Sequence, residues 1–252
     1  MNEAITHTPS ADITAIDDDF PFYNGKPASI SGPQWLFLMA MVVVGFLLIA
    51  TPIPLFRDPW LQFIPAILFF TIPLGALAKI VPGHWRAIFR QVGVRDILWA
   101  LAFGMLNLMV TFVVGILVST AFGAVPNSAV SGLTEKSTVD RVLFFLKTLP
   151  QLFGEEVMTI LPYLALMFYF TSKTGNSRMN SIVLAWLLSS LIFGLAHLHS
   201  YRWNLVQCVL VIGTARLVLS LAYIQTKNIW VSTGAHIIND WAIFALSIFG
   251  SE

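Results

Sequence analysis

Long apolar runs with almost no charge dominate this chain, at about residues 34–56, 60–80, 96–122, 140–171, 180–199, 204–223 and 229–249. A helix rises 1.5 Å per residue, so about 20 residues cross the hydrocarbon core of a bilayer. Within that core every backbone N–H and C=O needs a partner, which leaves only helices and closed barrels as spanning structures. The alternation of apolar and polar residues that a barrel strand requires is absent. The fold class is therefore all-α, a polytopic transmembrane bundle of about seven membrane helices. Composition agrees: the 252 residues are 57% hydrophobic and 11% charged, whereas soluble domains carry about 25% charge.

The first 33 residues differ from the rest. They hold Asp17-Asp18-Asp19 and a single basic residue, Lys26, and lack the basic start and apolar core of a signal peptide. Residues 1–33 are expected to form a polar, acidic, disordered tail, and residues 34–252 the transmembrane domain. Proline positions are expected to punctuate the helices; Pro150 should split the fourth run, and Pro162 should kink it. Lys26, Lys79, Arg86, Arg90, Arg95, Lys173, Arg178 and Lys227 fall on one set of connections, and Arg57, Lys136, Arg141 and Arg202 on the other. The basic excess marks the cytoplasmic side, which puts the N-terminus inside a cell membrane and the C-terminus outside. A net charge of +1 gives no case for nucleic acid. The single cysteine, Cys208, rules out an internal disulfide and a cysteine-based zinc site.

Between Leu143 and Ser251 the only acidic residues are Glu155, Glu156 and Asp240, and the only histidines are His197, His199 and His236. Ionisable groups are costly in a bilayer and usually face a protein interior or a wet cavity. Glu155 and Glu156 are adjacent, so on a helix they point about 100° apart and cannot share one role. His197 and His199 cannot both face one way either, and His199 reads as an interfacial histidine near a helix end. His236 and Asp240 are four apart and share a helix face, while Asn239 points elsewhere. Groups confined to three apolar segments share a need for burial, which suggests that they meet. A carboxylate with two histidines can deprotonate water and hold the resulting nucleophile, or ligate a metal with one position open. Both routes end in hydrolysis. No serine or cysteine nucleophile motif is present, nor is the helical H-E-x-x-H zinc signature.

Together, Glu155-Glu156, Phe193 to His197 and His236 to Asp240 resemble the CPBP family of CAAX proteases and bacteriocin-processing enzymes, also called the Abi family. Its pattern is E-E-x-x-x-R, F-x-x-x-H and H-x-x-x-N/D on successive membrane helices. The resemblance covers about residues 140–248. It implies an intramembrane endopeptidase in which Glu155 activates water and His197 helps to hold it. His236 would assist water or the oxyanion, and Asp240 would stand at the family's Asn/Asp position. It also implies no cofactor, the alternative being a single zinc at Glu155, His197 and His236. The family's arginine would fall at position 160, which is Ile160 here. Glu156 then needs a cation from elsewhere, and Arg216 is the first candidate, Lys147 the second.

The expected partners are a peptide or membrane-protein substrate and the lipid bilayer, with a role in bacteriocin or peptide processing or in self-immunity. A non-proteolytic immunity or scaffold protein that keeps the family fold is the alternative, and Ile160 is the feature that favours it. A proton-coupled transporter fits less well, because neither an inverted repeat nor a matched pair of broken helices is visible. One geometric demand remains. For His197 and His236 to meet, either the fifth helix must run past residue 199 or the seventh must start deeper in the membrane.

Overall fold

The computed structural model describes residues 19–249, except Ala129 and Ser131. Among them there is no strand, and seven long helices follow one another: α1 (Gly32–Ala50), α2 (Phe63–Ile80), α3 (Val94–Phe122), α4 (Thr138–Ser172), α5 (Arg178–Ala196), α6 (Leu205–Thr226) and α7 (Ile229–Phe249). The first six are long and apolar enough to cross a membrane. The protein is thus an integral membrane protein, as its apolar runs require. The seventh helix, 21 residues long, carries much of the polar cluster.

Helix α4 is the hub. It packs against α1, α2, α5 and α7, and 67% of its apolar window is buried, against 22% for α1 and 17% for α3. At 35 residues it is about 52 Å long. Neither Pro150 nor Pro162 breaks it, contrary to the split expected at Pro150. Each proline removes one backbone donor, a loss that membrane helices tolerate when neighbouring helices and side chains re-satisfy the freed groups. Ser137 caps the start of α4 by accepting from the Asp140 amide at 3.1 Å.

Two glycines allow close packing, Gly154 against a side-chain ring and Gly194 against another backbone. A Cβ on Gly154 would stand 2.4 Å from the Phe69 ring of α2, and one on Gly194 would stand 2.6 Å from the Cys208 carbonyl of α6. At that second contact α6 contains a π-helical stretch, Cys208–Ile212. Such bulges often mark functional positions.

The expected disordered tail is corrected over its second part. Residues 1–18 lie outside the described residues, but Phe20, Phe22, Tyr23 and Ile30 are all buried. Phe20 packs edge-on to Tyr163 and against Tyr223. Asp19 accepts from Arg178 at 2.6 Å, from the Tyr23 hydroxyl at 2.7 Å and from the Phe20 amide at 2.8 Å. Burial alone would raise the Asp19 carboxyl; these hydrogen bonds outweigh it and hold the carboxyl below the usual aspartate range. The polar composition of residues 1–33 hid a short aromatic motif that packs against Tyr163 and Tyr223.

His197 lies just past the end of α5, about 28 Å from its start, whereas His236 lies about 10 Å into α7. Helix α5 does not extend past residue 199. Instead His197 caps the end of α5, and the Phe193 ring lies between it and His236, the eighth residue of α7. In the connection after α2 the Arg90 amide donates to Asn228 at 3.3 Å.

Candidate active site

The chain brings Glu155, Glu156, His197, Arg216, His236 and Asp240 together from four helices. Glu155 and Glu156 lie at the midpoint of α4. Glu156 is fully buried and accepts two hydrogen bonds from Arg216 of α6, 2.7 Å at Oε1 and 2.9 Å at Oε2. The cation missing at Ile160 is therefore supplied by Arg216, across the helix interface. Lys147, the second candidate, approaches Gln62 instead, at 3.5 Å. Bidentate pairing fits the planar guanidinium fork, and the Phe193 ring covers its face at 4.9 Å.

Glu156 does more than balance a charge. Its Oε1 also accepts from His236 Nδ1 at 2.8 Å. Since a carboxylate accepts, Nδ1 carries the proton and Nε2 points away, toward Glu155 Oε2 at 3.8 Å and Asp240 Oδ1 at 3.6 Å. His197 is fixed in the same way. Its Nδ1 donates to the Phe193 carbonyl at 2.8 Å, one turn back, and its Nε2 stands 3.9 Å from Glu155 Oε2. The F-x-x-x-H spacing thus does two jobs: Phe193 orients the histidine through its carbonyl and shields Arg216 with its ring. Both reactive nitrogens converge on one oxygen of Glu155.

The other oxygen of Glu155 is occupied. Gln151, one turn earlier on α4, donates Nε2 to Oε1 at 3.1 Å. Sequence reasoning missed this residue, although the i,i+4 spacing on α4 could have pointed to it. Asn239 is a second correction. It lines the cavity and donates to Asp240 Oδ1 at 2.8 Å. Asp240 therefore faces the reactive nitrogen of His236 and does not orient the ring; Glu156 does that. His199 is exposed, as an interfacial histidine should be.

A cavity of about 200 Å3 is lined by Glu155, His197, Arg216, His236, Asn239 and Asp240. Its walls include Phe193 and Tyr201 as well as Thr111 of α3 and Asn127 and Val130 of the α3–α4 connection. The side-chain exposure of His197 (20%) and Asp240 (23%), against 0% for Glu156 and Arg216, shows which end is open. That end carries the 123–137 and 197–204 connections. Gln207 pins the first of these by exchanging two hydrogen bonds with the Val125 backbone, at 2.9 and 3.0 Å.

The donors do not fit a zinc ion as they stand. Tetrahedral zinc with bonds of about 2.0–2.1 Å holds its ligands about 3.3–3.4 Å apart, and the histidine nitrogens lie 3.8 and 3.9 Å from Glu155. Among the described residues no group of three His, Cys, Asp or Glu side chains is drawn together as a metal centre.

Compared with known families, residues 138–242 match the model described as Type II CAAX prenyl endopeptidase Rce1-like. The match spans α4 to α7 and contains every residue of the cluster. No curated protein and no solved structure matches the chain.

Proposed function

From a chain that belongs, through residues 138–242, to the CAAX protease family, we propose an intramembrane endopeptidase that cleaves a peptide or membrane-associated protein with carboxylate-activated water. The observation that carries this reading is the convergence of two oriented imidazole nitrogens on Glu155 Oε2, with Oε1 engaged by Gln151. One oxygen is held and the other is free to act as a base.

The chemistry follows from those positions. Water placed between Glu155 Oε2 and His197 Nε2 gives its proton to Glu155. The hydroxide adds to the scissile carbonyl, and the developing oxyanion lies toward His236 Nε2, which stabilises it by donating in the imidazolium form. Glu156, Glu155 and Asp240 around that ring supply counter-charge. Collapse breaks the C–N bond, and the leaving amine takes the proton from Glu155. No step needs a cofactor, so cleavage is expected to survive a chelator.

We place the enzyme in the cell membrane with its basic connections in the cytoplasm. The open end of the cavity lies at the opposite end of the bundle, so the substrate approaches from the non-cytoplasmic side. Bacteriocin or peptide maturation and self-immunity are processes that suit such a site. The non-proteolytic alternative drew its support from Ile160, and the Arg216–Glu156 pair removes that support. The test is mass-spectrometric detection of cleavage products from membrane-anchored peptides in proteoliposomes, with wild type set against Glu155→Gln. Turnover that depends on Glu155 supports the reading; equal products from both proteins overturn it.

A further inference from the structure

Three side chains on the abutting faces of α3 and α7 carry buried polar atoms without a partner. Asn107 of α3 is fully buried, and neither its amide nitrogen nor its amide oxygen hydrogen-bonds to any described group. The Thr111 hydroxyl, one turn further along α3, and Asn239 Oδ1 of α7 are buried and equally unpartnered. Buried polar groups nearly always pair with protein or with ordered water. Within a membrane span the cost of leaving one unpaired is high.

Close packing fixes how the two helices face each other. A Cβ on Gly104 would stand 2.9 Å from the Ile238 side chain and 3.1 Å from the Ala235 carbonyl, and one on Gly234 would stand 3.1 Å from the Ala100 side chain. The helices therefore run in the same direction, with Ala100 and Gly104 set against Gly234–Ile238. Asn107 and Thr111 continue that face of α3 at i+3 and i+7 from Gly104, and Asn239 continues that of α7 at i+4 from Ala235. Thr111 and Asn239 both line the catalytic cavity. Asn107 lies one turn nearer the start of α3, and it falls outside residues 138–242, the span of the family match.

We propose that Asn107, Thr111 and Asn239 form a water-retention site on the α3 side of the cavity, which supplies the water that Glu155 activates. The proposal rests on the endopeptidase reading and deepens it. Hydrolysis consumes one water for each peptide bond cut, and the bilayer core offers none. A substrate that enters by the open end, at His197 and Asp240, closes the route from solvent, so the reacting water is drawn from the protein interior. The cavity of about 200 Å3 has room for several waters. A buried water makes about three hydrogen bonds. Asn107 offers donors and an acceptor, the Thr111 hydroxyl can do either, and Asn239 Oδ1 accepts. Asn239 also donates to Asp240 Oδ1 at 2.8 Å, which ties the retained water to the reacting groups. Asn107 acts through water and is a positioning residue.

The experiment is water-edited solid-state NMR on the full-length protein in bilayers, with isotope-labelled asparagine, alongside peptide cleavage in proteoliposomes. The Asn107 side-chain signal is identified by its loss in Asn107→Leu, and independently by its loss in Asn107→Ser. In wild type it is expected to take up polarisation from water on the timescale of exposed Asn180. Uptake as slow as that of Asn228, which is buried and bonded to protein, overturns the site. Asn107→Leu is expected to lower kcat about tenfold while KM stays within about twofold. Asn107→Ser, which keeps a hydroxyl to hold water, is expected to restore most of the rate. The melting temperature of Asn107→Leu is expected to hold or rise, because an apolar group of similar size replaces an unpartnered amide. Wild-type kcat in a folded Asn107→Leu overturns the supply role. So does a fall in kcat that tracks a fall in melting temperature and that serine does not restore, which makes Asn107 a packing residue. Water at Asn107 in a protein that cleaves nothing keeps the hydrated site and overturns the endopeptidase reading; cleavage with a dry Asn107 does the reverse.

Discussion

Replacing Arg216 with methionine removes the guanidinium while keeping most of the side-chain volume. In the native protein Arg216 and Glu156 are both fully buried and share two hydrogen bonds, at 2.7 and 2.9 Å. The substitution leaves the Glu156 carboxylate with His236 Nδ1 as its one remaining hydrogen-bond donor. Removing one partner of a buried pair costs about 3–5 kcal/mol, because the other charge stays uncompensated. At about 2–4 °C per kcal/mol for a chain of this size, thermal melts in nanodiscs should fall by about 6–20 °C. Adding Glu156→Gln removes the orphaned charge. The double variant should recover much of the loss, giving a coupling of about 2 kcal/mol or more. Ile160→Arg in the Arg216→Met background puts a cation one turn from Glu156 on α4, and it should recover part of the loss by another route. An Arg216→Met protein that melts within about 2 °C of wild type would refute the account of Glu156. So would a double variant no more stable than the single.

Three further outcomes follow from the geometry. His197→Ala and His236→Ala should each lower the cleavage rate by about 10²-fold or more while the melting temperature stays near that of wild type for His197→Ala, whose ring is the more exposed. Phe22→Ala should cost about 3–5 kcal/mol, because its side chain is fully buried; a disordered N-terminal segment would show no change in the melt. The Asp19 carboxyl is held below its ordinary value of about 3.9, so its contribution is fully present above that pH and is lost as pH falls through the lower folded-state value. The contact is partly exposed, which limits the effect to about 1 kcal/mol or less. Melts of wild type and Asp19→Asn should therefore differ at pH 6 and converge in the acid range.

The helices were legible because hydrocarbon leaves the backbone few choices. The cluster was legible because burial makes each carboxylate and imidazole in a membrane segment conspicuous. Arg216 could be named as the partner of Glu156 from its unexplained charge alone, although nothing in the spacing places α6 against α4, or shows that Gly194 and the π-helical stretch after Gln207 bring α5 and α6 into contact. Gln151 was missed because a glutamine in an apolar helix carries no charge to betray it. The docking of Phe20 and Phe22 was missed because three aspartates set the character of the segment. The continuity of α4 through Pro150 was missed for a different reason: a proline removes one hydrogen bond, but the packing that compensates for it is not written locally.

Product formation by purified protein in nanodiscs, with wild type and Glu155→Gln compared on the same membrane-anchored peptides with and without chelator, bears most directly on the central claim. The account predicts cleavage by wild type with or without chelator, and a rate at least about 10²-fold lower for Glu155→Gln, whose uncharged amide cannot take a proton from water. Equal cleavage by the two proteins would contradict it.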